Sequence, residues 1–303
     1  MRVINTVNKN ADLIKGIFLL LLAAILYSIM PVLIRLLGSG GIPPVSQVFL
    51  RYIFAFIAAL FYYFFTSGVR IKIQKKSLPL LLFAALFGYG LTNLFFTISI
   101  LNTQISNALF LFYSYAIIAP VLGFVILKNR VNAFNILSLI LSFIAIALLF
   151  QPNGFNTWKI GGFFAILSAL GQASYLISRK KLSYYKANFM MLSNTFIGVI
   201  FLGMLSLIIE NTFYFHGAIT NLSGNTWLAT VIFGIDNFFA WLAMTKGFEY
   251  FKATSASVIL LSELVFGAFF AFILFKESPT YVTIIGGILI LFSSTLVILK
   301  GEK

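Results

Sequence analysis

The sequence predicts an all-α integral membrane protein of ten transmembrane helices, arranged as two inverted five-helix repeats. Three observations predict it. Ten apolar runs are each long enough to cross a bilayer core, which takes about 20 residues. Lys and Arg gather on alternate connections between those runs. A stretch of the first half recurs in the second.

Of the 303 residues, 61% are hydrophobic and 9% charged, with a mean hydropathy of +1.03. Soluble domains carry about 25% charged residues, and a chain this apolar cannot cover a water-facing surface. The net charge is +14, from 21 Lys and Arg against 7 Asp and Glu. In a soluble chain that balance would suggest nucleic acid. Here the basic residues lie between apolar runs and no RNP, zinc-finger or basic-zipper pattern is present, so no nucleic-acid partner is expected. The chain has no cysteine and one histidine, His216. Disulfides and Cys-ligated metals are excluded, and neither a metal nor a cofactor is expected.

The runs are 16–37, 45–66, 77–99, 103–127, 132–150, 160–178, 187–209, 226–247, 253–275 and 280–299. The first follows a basic flank of Arg2, Lys9 and Lys15. It is longer than a signal-peptide core and no Ala-x-Ala site follows it, so it reads as a span and not as a cleaved leader. The runs are continuous and twice as long as the alternating segments of a β-barrel. Two connections are longer: 67–76 is basic, whereas 210–225 has no Lys or Arg. With the N-terminus inside, the cytoplasmic connections hold Arg70, Lys72, Lys75, Lys76, Lys128, Arg130, Arg179, Lys180, Lys181, Lys186, Lys246 and Lys252, with Lys300 and Lys303 at the tail. The outer side keeps Arg35, Lys159 and Lys276. This asymmetry predicts a multi-pass protein of the plasma (inner) membrane with both termini cytoplasmic.

The repeat relates 102–130 to 250–278. At a constant offset Ala108 meets Ala256, Ser114 meets Ser262 and Lys128 meets Lys276. Gly16 and the pair Gly161–Gly162 open corresponding spans. The units are therefore 1–150 and 151–303. Each holds an odd number of spans, so the second enters the membrane from the opposite side. Inverted repeats of this kind build many secondary transporters, with substrate near the midplane.

The segment 246–287, KGFEYFKATSASVILLSELVFGAFFAFILFKESPTYVTIIGG, resembles the drug/metabolite transporter superfamily, specifically its EamA-type ten-helix members. Glu263 and Glu277 fill two acidic positions of that pattern, and Leu264 stands where the family often has Pro. In the first half Ala116 replaces the Pro, Asn129 replaces the closing Glu, and Pro120 follows one turn later. Arg51 matches a family Arg after Gly41, Pro43 and Pro44. The resemblance covers essentially the whole chain. It implies spans 1–4 and 6–9 around a central cavity, spans 5 and 10 at the periphery, and movement of small metabolites such as amino acids, often outward.

Ionisable groups inside a membrane are expensive and mark function or a structural pair. Asp236 and Glu263 lie midway along spans 8 and 9 and are the proton-coupling candidates, since a carboxyl group held from water can exchange a proton near neutral pH. Their other reading is a buried pair that locks the bundle. Arg51 lies nearer the outer face, where it could bind or snorkel to water. Glu277, with Ser278 and Pro279, reads as a cap for the last span. Tyr27, Tyr89, Asn93, Tyr113, Gln172, Tyr175, Asn237 and Trp241 complete the candidate cavity. Thr92, Asn107, Ser114, Tyr115, Ser174 and Ser178 share its spans, and about half of all these neutral polar residues are expected to line it. Such a lining suits a molecule with an apolar body and a polar end, an aromatic amino acid among them; capture of a quaternary ammonium over an aromatic face is the rival. In span 5, Asn135, Ser138 and Ser142 share one face; with Gly286 and Gly287 of span 10 they suit helix packing.

No Walker A, Gly-x-Ser-x-Gly, His-Glu-x-x-His or Rossmann pattern occurs, so no enzyme is expected. The expectation is a secondary transporter that exports amino acids or related solutes by alternating access, as a monomer or weak homodimer in the bilayer. Uptake or exchange of a cationic or phosphorylated metabolite is the alternative, and a channel the third.

Overall fold

The computed structural model describes residues 2–66, 73–103, 105–128, 132–150, 160–210, 222–275 and 281–301. Helix α1 (Arg2–Tyr27) ends where Pro31 lacks a backbone donor and its ring would meet the carbonyl of Tyr27. The chain restarts as α2 (Met30–Ser39), with the proline in its first turn. Helix α3 (Pro44–Thr66) also opens on proline. The third span is composite: α4 (Leu78–Phe83), a π-helical segment Ala84–Leu91, then α5 (Thr92–Asn102). Helices α6 (Ile105–Phe112) and α7 (Tyr115–Leu127) are parted by Tyr113 and Ser114, and α8 (Ala133–Phe150) follows. Next come three unbroken helices, α9 (Ile160–Lys181), α10 (Ala187–Ile209) and α11 (Gly224–Tyr250). Helices α12 (Ala253–Leu260) and α13 (Ser262–Phe275) break at Leu261. Helix α14 (Tyr281–Leu296) runs into a π turn at Val297–Gly301. No strand occurs among the described residues.

Among the described residues, seven stretches are long and apolar enough to cross a membrane: Ala11–Ser39, Pro44–Thr66, Lys75–Asn102, Ala108–Leu127, Ile160–Lys181, Ala187–Ile209 and Gly224–Tyr250. Three further apolar helices, Ala133–Leu148, Ser255–Gly267 and Ile284–Lys300, are shorter and lie at the fifth, ninth and tenth predicted spans. All three border on residues outside those described, and the ninth runs through the break at Leu261. His216 and the proposed cap Glu277 fall outside the described residues, as does the side chain of Asn107.

The breaks in α6/α7 and α12/α13 fall at corresponding places in the two halves. In each, the turn tightens to an i to i−3 hydrogen bond: the Ala116 amide donates to Tyr113 O, and the Leu264 amide to Leu261 O, both at 3.0 Å. Ala116 and Leu264 are the two positions at which the resemblance implies a frequent proline. The tightened turn therefore persists without the imino acid, helped in the first half by Ser114 Oγ, which donates to Leu111 O at 2.6 Å.

Polarity is arranged inside-out relative to a soluble protein. Ser46, Gln47, Arg51, Thr92, Asn93, Asn194 and Asn237 are buried, while Phe61, Phe64, Phe65 and Ile208 are exposed. An apolar exterior over a polar interior suits hydrocarbon solvent, where backbone and side-chain polar groups must be satisfied internally. Every major pairing joins one half to the other: α1 with α11, α3 with α10, α5 with α9, α7 with α12, and α8 with α14. The predicted packing face of span 5 lies in the last of these. Asn135, Ser138 and Ser142 are buried, and Ser142 Oγ hydrogen-bonds Ser293 Oγ at 3.0 Å.

Small residues set the helix spacing. At Gly198 of α10, a Cβ would come within 2.5 Å of the Tyr52 ring. That ring cannot step aside, because its hydroxyl donates to Tyr89 O and accepts from Asn93. Gly198→Ala is expected to cost about 1–3 kcal/mol, the range for overpacking. A lowered melting temperature in detergent checks it, and an unchanged one refutes the tight approach.

Candidate substrate-binding site

Helix α11 supplies one wall. Asn237, Trp241, Met244 and Thr245 recur at helical spacing and are buried, so they form one inward stripe. The π-helical segment supplies Tyr89, α9 supplies Gln172 and Tyr175, and α1 supplies Tyr27 at its last residue. Gly88 lets the π segment lie directly on α9: a Cβ there would sit 3.0 Å from Tyr175 Cα. Local π geometry of this kind is common at functional sites.

Trp241 is the centre. Its ring lies 4.3 Å from Tyr89, 4.8 Å from Tyr175 and 6.3 Å from Tyr27 by centroid, each time edge-to-face. Edge-to-face contact places the positive rim of one ring on the negative face of the next. The hydroxyls are held as well. Asn237 Nδ2 donates to Tyr89 Oη at 3.1 Å, and Asn194 Nδ2 to Tyr175 Oη at 3.2 Å. Tyr175 Oη also shares a hydrogen bond with Thr245 Oγ1 at 2.9 Å. Tyr27 Oη and Gln172 Nε2 both donate to Met244 Sδ, at 3.4 and 3.3 Å. Trp241 Nε1 and Asn237 Oδ1 are buried without a partner among the described residues. Seven of the expected residues therefore meet: Tyr27, Tyr89, Asn93, Gln172, Tyr175, Asn237 and Trp241.

Asn93 ties this aromatic cluster to a cation. Its Nδ2 donates to Tyr52 Oη and Tyr89 O, and its Oδ1 accepts from Arg51 Nη2 at 2.9 Å. Arg51 does not reach water, as an outer-interface Arg could; it is 0% exposed and stacks over Phe233, 4.6 Å from the ring centroid. Asp236, one turn from Phe233 on α11, is half-buried and within electrostatic reach of Arg51, but no ion pair joins them.

The two remaining expected residues form a separate pair. Glu263, in the first turn of α13, is buried and hydrogen-bonded to Tyr113 at the α6/α7 break. Tyr27 and Tyr115 lie within its electrostatic reach. A carboxyl group thus joins the two broken helices, beside but not inside the Trp241 cluster. Asp236 has Arg51 as its charged neighbour, whereas Glu263 has Tyr113 as its hydrogen-bond partner.

Polar contacts close both ends of the bundle. At the head of α3, Glu210 accepts from the backbone amides of Val45 and Ser46 at 2.7 and 2.9 Å, so the end of α10 caps a helix of the other half. Near the ends of α9 and α11, buried Arg179 pairs with half-exposed Glu249. Lys246 there donates to Tyr62 of α3 and sits over its ring.

The model of the EamA-like transporter family matches this chain twice, over residues 14–151 and 159–299. The chain belongs to the EamA-like transporter family. It is accordingly a membrane transporter and not an enzyme. Similar curated proteins are an uncharacterized transporter of Clostridium kluyveri, 23% identical over 95% of this chain and 94% of that one, and the pseudopaline exporter of Pseudomonas aeruginosa, 20% identical over 92% and 94%. The S-adenosylmethionine uptake transporter of Rickettsia prowazekii is 25% identical over 96% of this chain and 94% of its own. A protein of known crystal structure shares the fold, with a TM-score of 0.76 at 15% identity over 94% of this transporter and 97% of that chain.

Sequence reasoning missed four members of this candidate site: Tyr52, Asn194, Met244 and Thr245. Two had a signal. Extending the Asn237–Trp241 stripe by one turn of α11 reaches Met244 and Thr245. Tyr52 and Asn194 had none, because their roles depend on Asn93 and Tyr175 in other helices.

Proposed function

We propose that this EamA-like transporter carries small amphipathic metabolites, amino acids or related solutes, outward across the plasma membrane by alternating access. The observation that carries the reading is the Trp241 cluster: edge-to-face rings and oriented amides where four elements from both halves meet, with two broken helices alongside. Rings supply an apolar seat, and Asn237 and Asn93 supply polar ends, the usual composition of a small-molecule site. Discontinuous helices at corresponding positions of two halves are a pointer to the binding site in secondary transporters.

The same reading takes the chain as ten spans in two inverted units, 1–150 and 151–303, with both termini cytoplasmic. Three things support the two-unit repeat: the double match of the family model, the matched tightened turns at Ala116 and Leu264, and pairings that interchange when the halves are exchanged, α1 with α11 and α9 with α5. The Pseudomonas relative's name supports the outward direction. The Rickettsia relative's name favours a second reading, inward movement of a cationic metabolite. Glu263 is the proposed proton carrier, because it alone among the acids of the site joins both broken helices.

The test is counterflow in proteoliposomes. Unlabelled amino acid trapped inside should drive uptake of labelled amino acid, and Glu263→Gln should leave that exchange intact while abolishing its response to an imposed pH gradient. Absence of counterflow for every solute offered removes the transport mode; a pH response that survives Glu263→Gln removes the proton role.

A further inference from the structure

We infer that Arg51 receives a carboxylate of the transported molecule, with Asp236 facing the cationic group of the same molecule. This rests on the substrate site proposed above and names its charged end. Arg51 is 0% exposed, yet only its Nη2 is used, by Asn93 Oδ1 at 2.9 Å and Asn93 O at 3.3 Å. Nε and Nη1 are buried with no partner among the described residues. A guanidinium inside a membrane is costly, and leaving its donors unmade adds to the cost. Phe233 covers one face of the group, so a ligand must approach its edge.

Asp236 Oδ2 is likewise buried and unpartnered. A purely structural pair would close on itself, as Arg179 and Glu249 do in this same molecule. Arg51 and Asp236 instead stay within mutual attraction while each keeps a free valence. A molecule carrying both charges completes both at once. One cation suits a singly charged carboxylate better than a doubly charged phosphate, and the planar guanidinium matches carboxylate oxygens. The apolar remainder of such a molecule has a surface to meet: Asn93 bonds both Arg51 and the backbone of Tyr89, and Asn237, beside Asp236, bonds the Tyr89 hydroxyl.

The test measures binding to the purified full chain in detergent, by quenching of tryptophan fluorescence. The probes are L-amino acids, each matched with the amine that lacks only the carboxylate. At least one acid should bind roughly 10- to 100-fold more tightly than its amine, the effect of a charge-assisted hydrogen bond. In Arg51→Gln the two should converge to within about threefold by the same measure. Arg51→Lys, which keeps the charge but not the planar fork, should fall between. The wild-type comparison needs no variant, so it stands even if Arg51→Gln fails to fold. Amines binding as tightly as acids, or no acid binding at all, overturns the assignment. Counterflow of a purely cationic or neutral solute by the same protein would leave the transport reading standing and remove this one.

Discussion

Trp241→Ala is expected to eliminate substrate binding and to lower the unfolding free energy by about 3–5 kcal/mol, the range for emptying a buried aromatic site. The indole is 3% exposed and is the common neighbour of Tyr27, Tyr89 and Tyr175. Truncation leaves three rings around a void, and none can close it, because Asn237, Asn194 and Thr245 hold the Tyr89 and Tyr175 hydroxyls and Met244 Sδ holds that of Tyr27. Trp241→Phe should keep most of the stability, since an aromatic edge remains and the indole Nε1 has no partner to lose. Thermal unfolding of the three proteins in one detergent, paired with ligand binding, reads both effects. An alanine variant with a wild-type melting temperature would contradict the central position given to this ring.

The second large effect is expected at the Arg179–Glu249 pair. Glu249→Ala strands a guanidinium that is 2% exposed, with a carbonyl contact to Leu182 at 3.2 Å its one remaining hydrogen bond among the described residues. Removing one partner of a buried ion pair costs about 3–5 kcal/mol, and the lower end applies here because Glu249 is half-exposed. Removing both charges should undo most of the loss. Arg179→Met combined with Glu249→Leu is expected to melt closer to wild type than Glu249→Ala does, because the desolvated cation has gone with its partner. A double variant less stable than the single one would mean that the pair holds the bundle by attraction and not by mutual relief.

The spans were legible because hydrocarbon demands continuous apolar stretches, and α3, α9, α10 and α11 fall close to their predicted limits. The interior stripe at Asn237 and Trp241 was legible for the complementary reason: polar groups turn away from lipid. The breaks at Tyr113–Ser114 and Leu261 were not, because no proline stands at Ala116 or Leu264 to announce them. Glu210 looked like part of a polar connection, and its role as cap for α3 depends on where the end of α10 falls beside Val45. For Arg51 the sequence left binding and snorkelling both open. Its place in α3 allowed an escape to water, and only Asn93 and Phe233, from two other elements, decide that it stays inside.

The partnership of α8 with α14 has a consequence for synthesis. Helix α8 leaves the ribosome with Asn135, Ser138 and Ser142 on one face, and α14, the helix that covers them, is made far later. At 5–20 residues per second, the intervening chain takes on the order of ten to thirty seconds to emerge. Through that interval the polar face must be shielded by the insertion machinery or by a provisional neighbour. A nascent chain that stops before α14 leaves this face without the helix that covers it.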